Sequence, residues 1–323
     1  MADNTVSNFT IYDNYYQTSY LEELAKNLNI FNAASNGAIV LRDSNIAGNY
    51  VYETMFDLPD TVDHRDNTST SDQDDEYLSD TEKVSVKVNM KYKPVKMTLD
   101  AWKKKGMTAQ DYSTILGAAN ARLKQESFVT IATSVLAAKI ASVADLTNDI
   151  TSDSVTTMNI DALAEALSKF GDKSQDIVCW VMHSKPYWNL VRAAITDKIY
   201  EEAGTVVYGG SPGTLGKPVI VTDGGLVSDD STAQYYTLGL TAGALEIIQS
   251  EADTIVSDVV TGEENLAYRI QGEFAFNLGV RGCTWDVTHG GANPTLAALA
   301  DATNWDNLYT DVKHLPGVCV LSL

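Results

Sequence analysis

The sequence predicts an α+β fold, and three observations predict it. Lys83 to Tyr92 alternates cleanly: Val84, Val86, Val88, Met90 and Tyr92 fall on one face, and Lys83, Ser85, Lys87, Asn89 and Lys91 on the other. Period two is the signature of a half-buried strand. From Thr108 to Ser142, apolar residues recur at helical spacing with no proline and no glycine after Gly117. Beyond that run, helix-like and strand-like segments alternate to the end of the sequence. Strands combined with a dominant helix in this way belong to the α+β class.

The 323 residues suffice for one large domain or two interleaved ones, and a hydrophobic content of 44% supports a substantial core. Acidic residues outnumber basic ones by 43 to 23, a net charge of −20. Such a chain is repelled by bulk nucleic acid and by anionic membranes, which argues against a nucleic-acid reader. Cys179, Cys283 and Cys319 are odd in number, far apart and lack C-x-x-C spacing. They read as reduced, buried thiols, neither a disulfide framework nor a zinc site. The opening MADNTVSNFT has no basic region and no apolar run, so no secretory signal is expected. Phe128 to Ala138 is too short to span a bilayer and is followed by Lys139, so a soluble protein without membrane contact is expected.

Taken in order, residues 1–20 are polar and punctuated by Tyr12, Tyr15, Tyr16 and Tyr20. They read as an extended arm with aromatic anchors lying on a neighbour or elsewhere on the molecule, or as a frayed terminus. Leu21 to Phe31 has helical spacing after Thr18 and Ser19. Ala38 to Leu41 and Tyr50 to Phe56 read as strands. The charge then reverses: Glu53 to Glu82 holds eleven acids and one base, Arg65, whereas Lys83 to Lys105 holds eight lysines and one acid, Asp100. Pairing Tyr50–Phe56 with Lys83–Tyr92 gives a long hairpin, and its tip, near Pro59 to Asp80, far exceeds the usual 2–5 residues. The tip reads as a solvated loop, because a calcium loop needs a glycine at its turn and none occurs between Gly48 and Gly106. A two-stranded ribbon is unstable alone, so its Val/Met face must be covered by the same chain or by another subunit.

Thr108 and Asp111 resemble a capping box opening the long helix, which extends on the order of 50 Å. Its sparse charges predict that it is covered on most sides or packs in a dense array. Asn159 caps a helix running to Phe170 and stopped by Gly171. Asp176 to Met182 is an apolar strand, and Ser184 caps a helix with Pro186 in its first turn. Thr205–Tyr208, Pro218–Thr222 and Tyr235–Leu240 read as short strands. Gln271 to Arg281 alternates, Asn293-Pro294 starts a small helix, and Val318 to Leu323 is a strand.

Residues 209–217, GGSPGTLGK, fit the letters of the G-x-S-x-G nucleophile elbow. The elbow needs a strand before it, a helix after it, and a backbone N–H on the residue following the serine. A strand is plausible, but Ser211 is followed by Pro212, which has no N–H, and TLGKPVIV reads as turn and strand. The same stretch fails as a phosphate loop, with Ser211 in place of a glycine and Pro218 in place of Ser or Thr. No two of His64, His183, His289 and His314 stand at metal-ligand spacing. No catalytic, cofactor or metal constellation emerges, which favours a structural protein over an enzyme.

Four stretches in order, TLGKPVIVTD (214–223), YYTLGLTAGAL (235–245), GEFAFNLGVRGCTWDV (272–287) and GGANPTLAALADATNW (290–305), resemble tailed-phage major capsid proteins. Thr241-Ala242-Gly243 departs from the tighter glycine pattern expected there. The resemblance covers most of the chain from about residue 84 onward, and implies the Hong Kong 97-type shell fold. That fold implies an N-terminal arm (1–35), an extended two-stranded loop and its base (36–105), a peripheral domain with a long spine helix (106–155 and 245–307), and an axial domain (156–244 and 308–323). It also implies that a neighbouring subunit covers the hairpin's apolar face, and that the strand Gln271–Arg281 returns beside the spine helix.

The implied function is self-assembly through pentamers and hexamers into an icosahedral head enclosing DNA, which is held without sequence-specific binding. The implied location is the virion, with assembly in the bacterial host cytoplasm. Lys83, Lys87, Lys91 and Lys93, with Tyr12, Tyr15 and Tyr16, are the expected intersubunit contacts, and charge reversal at Lys87 and Lys91 is expected to block shells while leaving subunits folded. Portal and decoration proteins are expected partners. With no long charged helical prefix, a separate scaffolding protein, or none, is expected. The alternatives are a bacterial nanocompartment shell of the same fold, a serine hydrolase using Ser211, and a monomeric binding module.

Overall fold

The alternating run at Lys83–Tyr92 lies inside a 20-residue strand, β3 (Ser79–Thr98). The computed structural model describes residues 35–44, 46–57, 79–106, 109–201, 214–228, 233–262 and 264–323, with isolated positions between 58 and 78. The tyrosine-bearing arm, the Leu21–Phe31 helix, Thr108, the Thr205–Tyr208 strand and most of the acidic tip lie outside these residues.

β3 belongs to a five-stranded sheet with β1 (Ile39–Asp43), β2 (Tyr50–Asp57), β8 (Leu245–Val260) and β9 (Ala267–Val280), in the order β1-β8-β9-β3-β2. β2 and β3 pair antiparallel from Tyr50 opposite Val86 to Asp57 opposite Ser79. The hairpin is therefore real, but its paired arms use residues 79–86 of β3. From Val86 to Thr98 the same strand pairs with β9.

This arrangement corrects the expectation that a neighbouring subunit covers the hairpin's apolar face. Val84, Val86 and Val88 are buried in the subunit's own core together with Phe274, Phe276 and Leu278 of β9. Phe128, on the long helix above them, meets Phe276 edge-on with ring centroids 4.9 Å apart. Fully burying side chains of this size contributes about 1.5–3 kcal/mol each, which a solvent-exposed ribbon would forgo.

A short helix, α1 (Leu99–Lys105), precedes the long one, α2 (Ala109–Ala141), whose 33 residues span roughly 50 Å. The expectation that α2 is covered on most sides holds for half of it. From Ile131 to Ile140 nearly every position is buried or half-buried. In the N-terminal half only one side is covered, where Ala121 packs on Tyr268 and Ile270, while Ile115 and Leu123 are 57% and 56% exposed.

The second five-stranded sheet has the order β4-β12-β7-β5-β6. Its strands are β4 (Thr147–Asp149), β5 (Ile177–Met182), β6 (Val219–Val221), β7 (Tyr235–Thr241) and β12 (Gly317–Ser322). β12 lies between β7 and β4, so the last described strand is paired on both sides with strands from the middle of the chain. Gly239 of β7 is required by close approach: a Cβ there would stand 2.7 Å from the ring of Trp180. Helix α3 (Ile160–Lys169) is capped as expected, Asn159 Oδ1 accepting from the Ala162 N–H at 2.7 Å. Helix α4 (Ser184–Glu201) corrects the expected Ser184 cap. Asp223 accepts the Ser184 N–H at 3.1 Å, and the His183 ring accepts the Lys185 N–H at 3.1 Å.

The remaining described elements are the pair β10 (Cys283–Trp285) and β11 (Trp305–Asn307), with short helices α5 (Val287–Gly290) and α6 (Leu296–Leu299) between them. One continuous core joins both sheets through α2.

Candidate assembly interface

The lysines fall into two groups by environment. Lys83 reaches Glu53 of the paired strand at 3.0 Å. Lys87, 6% exposed, is hydrogen-bonded to Glu251 of β8. These two charges are satisfied within their own subunit. Reversal of Lys87 would set a new carboxylate against Glu251, so the expectation that this change spares folding is corrected.

Lys91 and Lys93 are exposed on the far part of β3. There β3 pairs with β9 on one side only, because β2 ends its pairing at Val86. The ladder shifts between Tyr92 and Val95, leaving Lys93 and Pro94 opposite Gln271. A bulge of this kind bends a strand and re-aims its side chains. Tyr12, Tyr15, Tyr16 and Ser211 lie outside the described residues.

Sequence reasoning missed two buried lysines on α2. Lys124, 1% exposed, donates to Gln249 at 3.0 Å and to both carboxylate oxygens of Asp253 at 2.8 Å. Its ammonium also lies over the Phe274 ring, 4.8 Å from the centroid, where a cation is attracted to the ring face. β8 carries register shifts between Gln249 and Glu251 and between Glu251 and Thr254. The irregular segment thus holds both Glu251, for Lys87 of β3, and Asp253, for Lys124 of α2. Lys139 donates to the Trp305 carbonyl at 2.5 Å. A lysine within an apolar run marked Lys139, whereas Lys124 lies in the polar stretch Arg122–Ser127 and carried no such signal.

The motif residues of the last third converge on one structural knot. Trp285 and Trp305 face each other across the β10–β11 pair, with ring centroids 4.9 Å apart and planes at 72°. The Trp285 indole N–H donates to the Gly291 carbonyl at 3.0 Å, and that of Trp305 to the Leu299 carbonyl at 3.0 Å. Asp286 caps α5 and Thr295 caps α6. Thr284 Oγ1 accepts the Val84 N–H at 2.8 Å, fastening the knot to β3. These residues build architecture.

A sequence model of the Gp13-like family, described as major capsid protein 13-like, matches residues 8–319.

The chain belongs to the Gp13-like family of major capsid proteins.

No curated protein matches it by sequence. Among solved structures, the capsid of Ralstonia phage GP4 aligns over 89% of this chain and 87% of that chain, with a TM-score of 0.54 and 10% identity. A chain of Microbacterium phage Oxtober96 aligns over 89% and 90%, with a TM-score of 0.53 and 13% identity. The acidic stable capsid structure of Helicobacter pylori bacteriophage KHP30 aligns over 89% and 88%, with a TM-score of 0.52 and 8% identity. These likenesses show the shared fold, which is of the Hong Kong 97 type.

The capsid protein has a structural role in the virion. Its cysteines fit that role. Burial raises the thiols of Cys179 and Cys319 to about 12 and that of Cys283 to about 11, so none is a ready nucleophile at neutral pH. Among the described residues no group of His, Cys, Asp and Glu is placed to hold a metal ion, and no described helix is long and apolar enough to cross a membrane.

Proposed function

We propose that the capsid protein self-assembles through pentamers and hexamers into a closed icosahedral head around packaged DNA. Assembly takes place in the bacterial host cytoplasm, with a separate scaffolding protein and a portal, and with decoration proteins added to the shell. The observation that carries this reading is the match to a capsid family along nearly the whole chain, residues 8–319. A closed shell requires one surface to make quasi-equivalent contacts many times. The exposed Lys91 and Lys93, and the arm tyrosines Tyr12, Tyr15 and Tyr16, are the contacts we assign to it. Lys83 and Lys87 act behind them by holding β3 to β2 and β8. The DNA is enclosed without sequence-specific recognition, in keeping with a net charge of −20.

Electron microscopy of the expressed protein tests this reading. Closed particles of uniform diameter are expected. Soluble monomers alone would refute it, and uniform shells that contain an enzyme in infected or native cells would instead establish a nanocompartment.

A further inference from the structure

Helix α4 starts on a histidine that also faces a carboxylate. His183 follows β5 directly and precedes Ser184, the first residue of α4. Its Nδ1 accepts the Lys185 N–H at 3.1 Å and lies 3.4 Å from the Ser184 hydroxyl. Its Nε2 lies 3.4 Å from Asp223 Oδ1, and the same oxygen accepts the Ser184 N–H at 3.1 Å. One side-chain pair thus holds two of the N–H groups that a helix start leaves without internal partners. An imidazole nitrogen that accepts an N–H carries no proton of its own. The neutral ring therefore keeps its proton on Nε2, toward Asp223.

This arrangement fixes where a second proton goes. Nδ1 is the one nitrogen left to take it, and an Nδ1–H faces the Lys185 N–H, donor against donor. The imidazolium also brings positive charge to a helix N-terminus, where the dipole favours anions. Among the described residues, the titratable groups facing the ring are Asp223 from the segment after β6, Lys185 of α4 and Tyr235 of β7. Asp223 alone opposes the new charge, and its side chain is 69% exposed, so water screens the attraction. Lys185 adds to the charge, its ammonium resting 4.7 Å from the centroid of the Tyr235 ring, which is itself 4.9 Å from the imidazole.

The surroundings decide which part yields. β5 is an interior strand of the second sheet. The segment bearing Asp223 is pinned on both sides of it. The Thr222 N–H donates to the Met182 carbonyl at 3.1 Å, and Thr133 Oγ1 of α2 donates to the Gly224 carbonyl at 2.8 Å. The first turn of α4 is left to give way.

We propose that His183 is a pH-sensitive cap. Uptake of a second proton releases the Lys185 N–H and loosens the first turn of α4, while β5 and the segment Thr222–Gly224 stay in place. This switch lies within the subunit and stands apart from the shell reading above.

Hydrogen exchange of the full-length protein, followed by mass spectrometry across a pH series, tests it. Slow exchange at the ring C2 of His183 gives that residue's titration midpoint. Amide exchange in peptides spanning residues 180–189, corrected for intrinsic rates, gives the protection of the turn. Protection there is expected to fall about tenfold, the loss of roughly one hydrogen bond, at the midpoint of the ring, while peptides from β7 keep theirs. His183→Asn supplies an oxygen acceptor that does not titrate, so its turn is expected to stay protected on both sides of that midpoint. Constant protection in the wild-type chain, or the same loss in His183→Asn, overturns the proposal. If the variant fails to fold, the wild-type chain decides: coincident ring and amide midpoints support the cap, and separate ones overturn it.

Discussion

Lys124 is the residue on which α2 and the irregular part of β8 depend together. Its ammonium is fully buried, and Asp253 is nearly so, with side-chain exposures of 0% and 10%. Removing one partner of a buried pair leaves an uncompensated charge and typically costs about 3–5 kcal/mol. Lys124→Ala is expected to destabilise the subunit by about that amount in chemical denaturation, whereas Lys124→Met with Asp253→Leu is expected to cost less, because no stranded charge remains. The exposed His289–Asp286 pair makes a different prediction. The hydrogen bond and charge of Asp286 raise His289, and the hydrogen bond from His289 lowers Asp286. A raised histidine contributes stability in full below its unfolded value, about 6.5, and loses it as pH rises through the folded value. A depressed aspartate contributes above about 3.9 and loses its contribution as pH falls through its folded value. The pair therefore holds best from about pH 4 to about 6.5. In an NMR titration the His289 midpoint is expected above 6.5, returning toward the ordinary value in Asp286→Asn.

At the scale of elements, α2 is the beam on which both sheets rest. Phe128 lies at the junction of its one-sided and fully covered halves, against Phe274 and Phe276. Phe128→Ala is expected to cost about 3–5 kcal/mol, read as a lower denaturation midpoint with an unchanged m-value. Elements with a clean period were legible in the sequence: α2, α3, β3, β5, β7 and β9 each follow from spacing and caps. β8 was not, although it is 16 residues long. Its two register shifts break the alternation after Gln249, so polar and apolar residues cease to mark opposite faces. Nor could periodicity show that Lys87 is satisfied by Glu251, 164 residues away, since its partner is set by tertiary pairing. The half-bare state of α2 was hidden for the opposite reason: Ile115 and Leu123 continue the apolar pattern yet remain exposed.

For the whole molecule, the separation between holding a subunit together and joining subunits falls along one strand. Lys87→Glu is expected to lower the Tm of the isolated subunit, because it opposes Glu251 in a buried position. Lys91→Glu is expected to leave that Tm unchanged and to reduce shell yield, measured by sedimentation. A pair of such measurements distinguishes folding from assembly at positions four residues apart. The placement of β12 has a consequence for how subunits are made. Residues 317–322 form an interior strand, flanked by β7 and β4. Until a ribosome has released that stretch, the second sheet is split and the faces that β12 covers stay exposed to water. A prematurely terminated product, whatever its length short of residue 317, cannot complete this sheet. A chain truncated at residue 316 is therefore expected to be poorly soluble and to yield no particles in sedimentation.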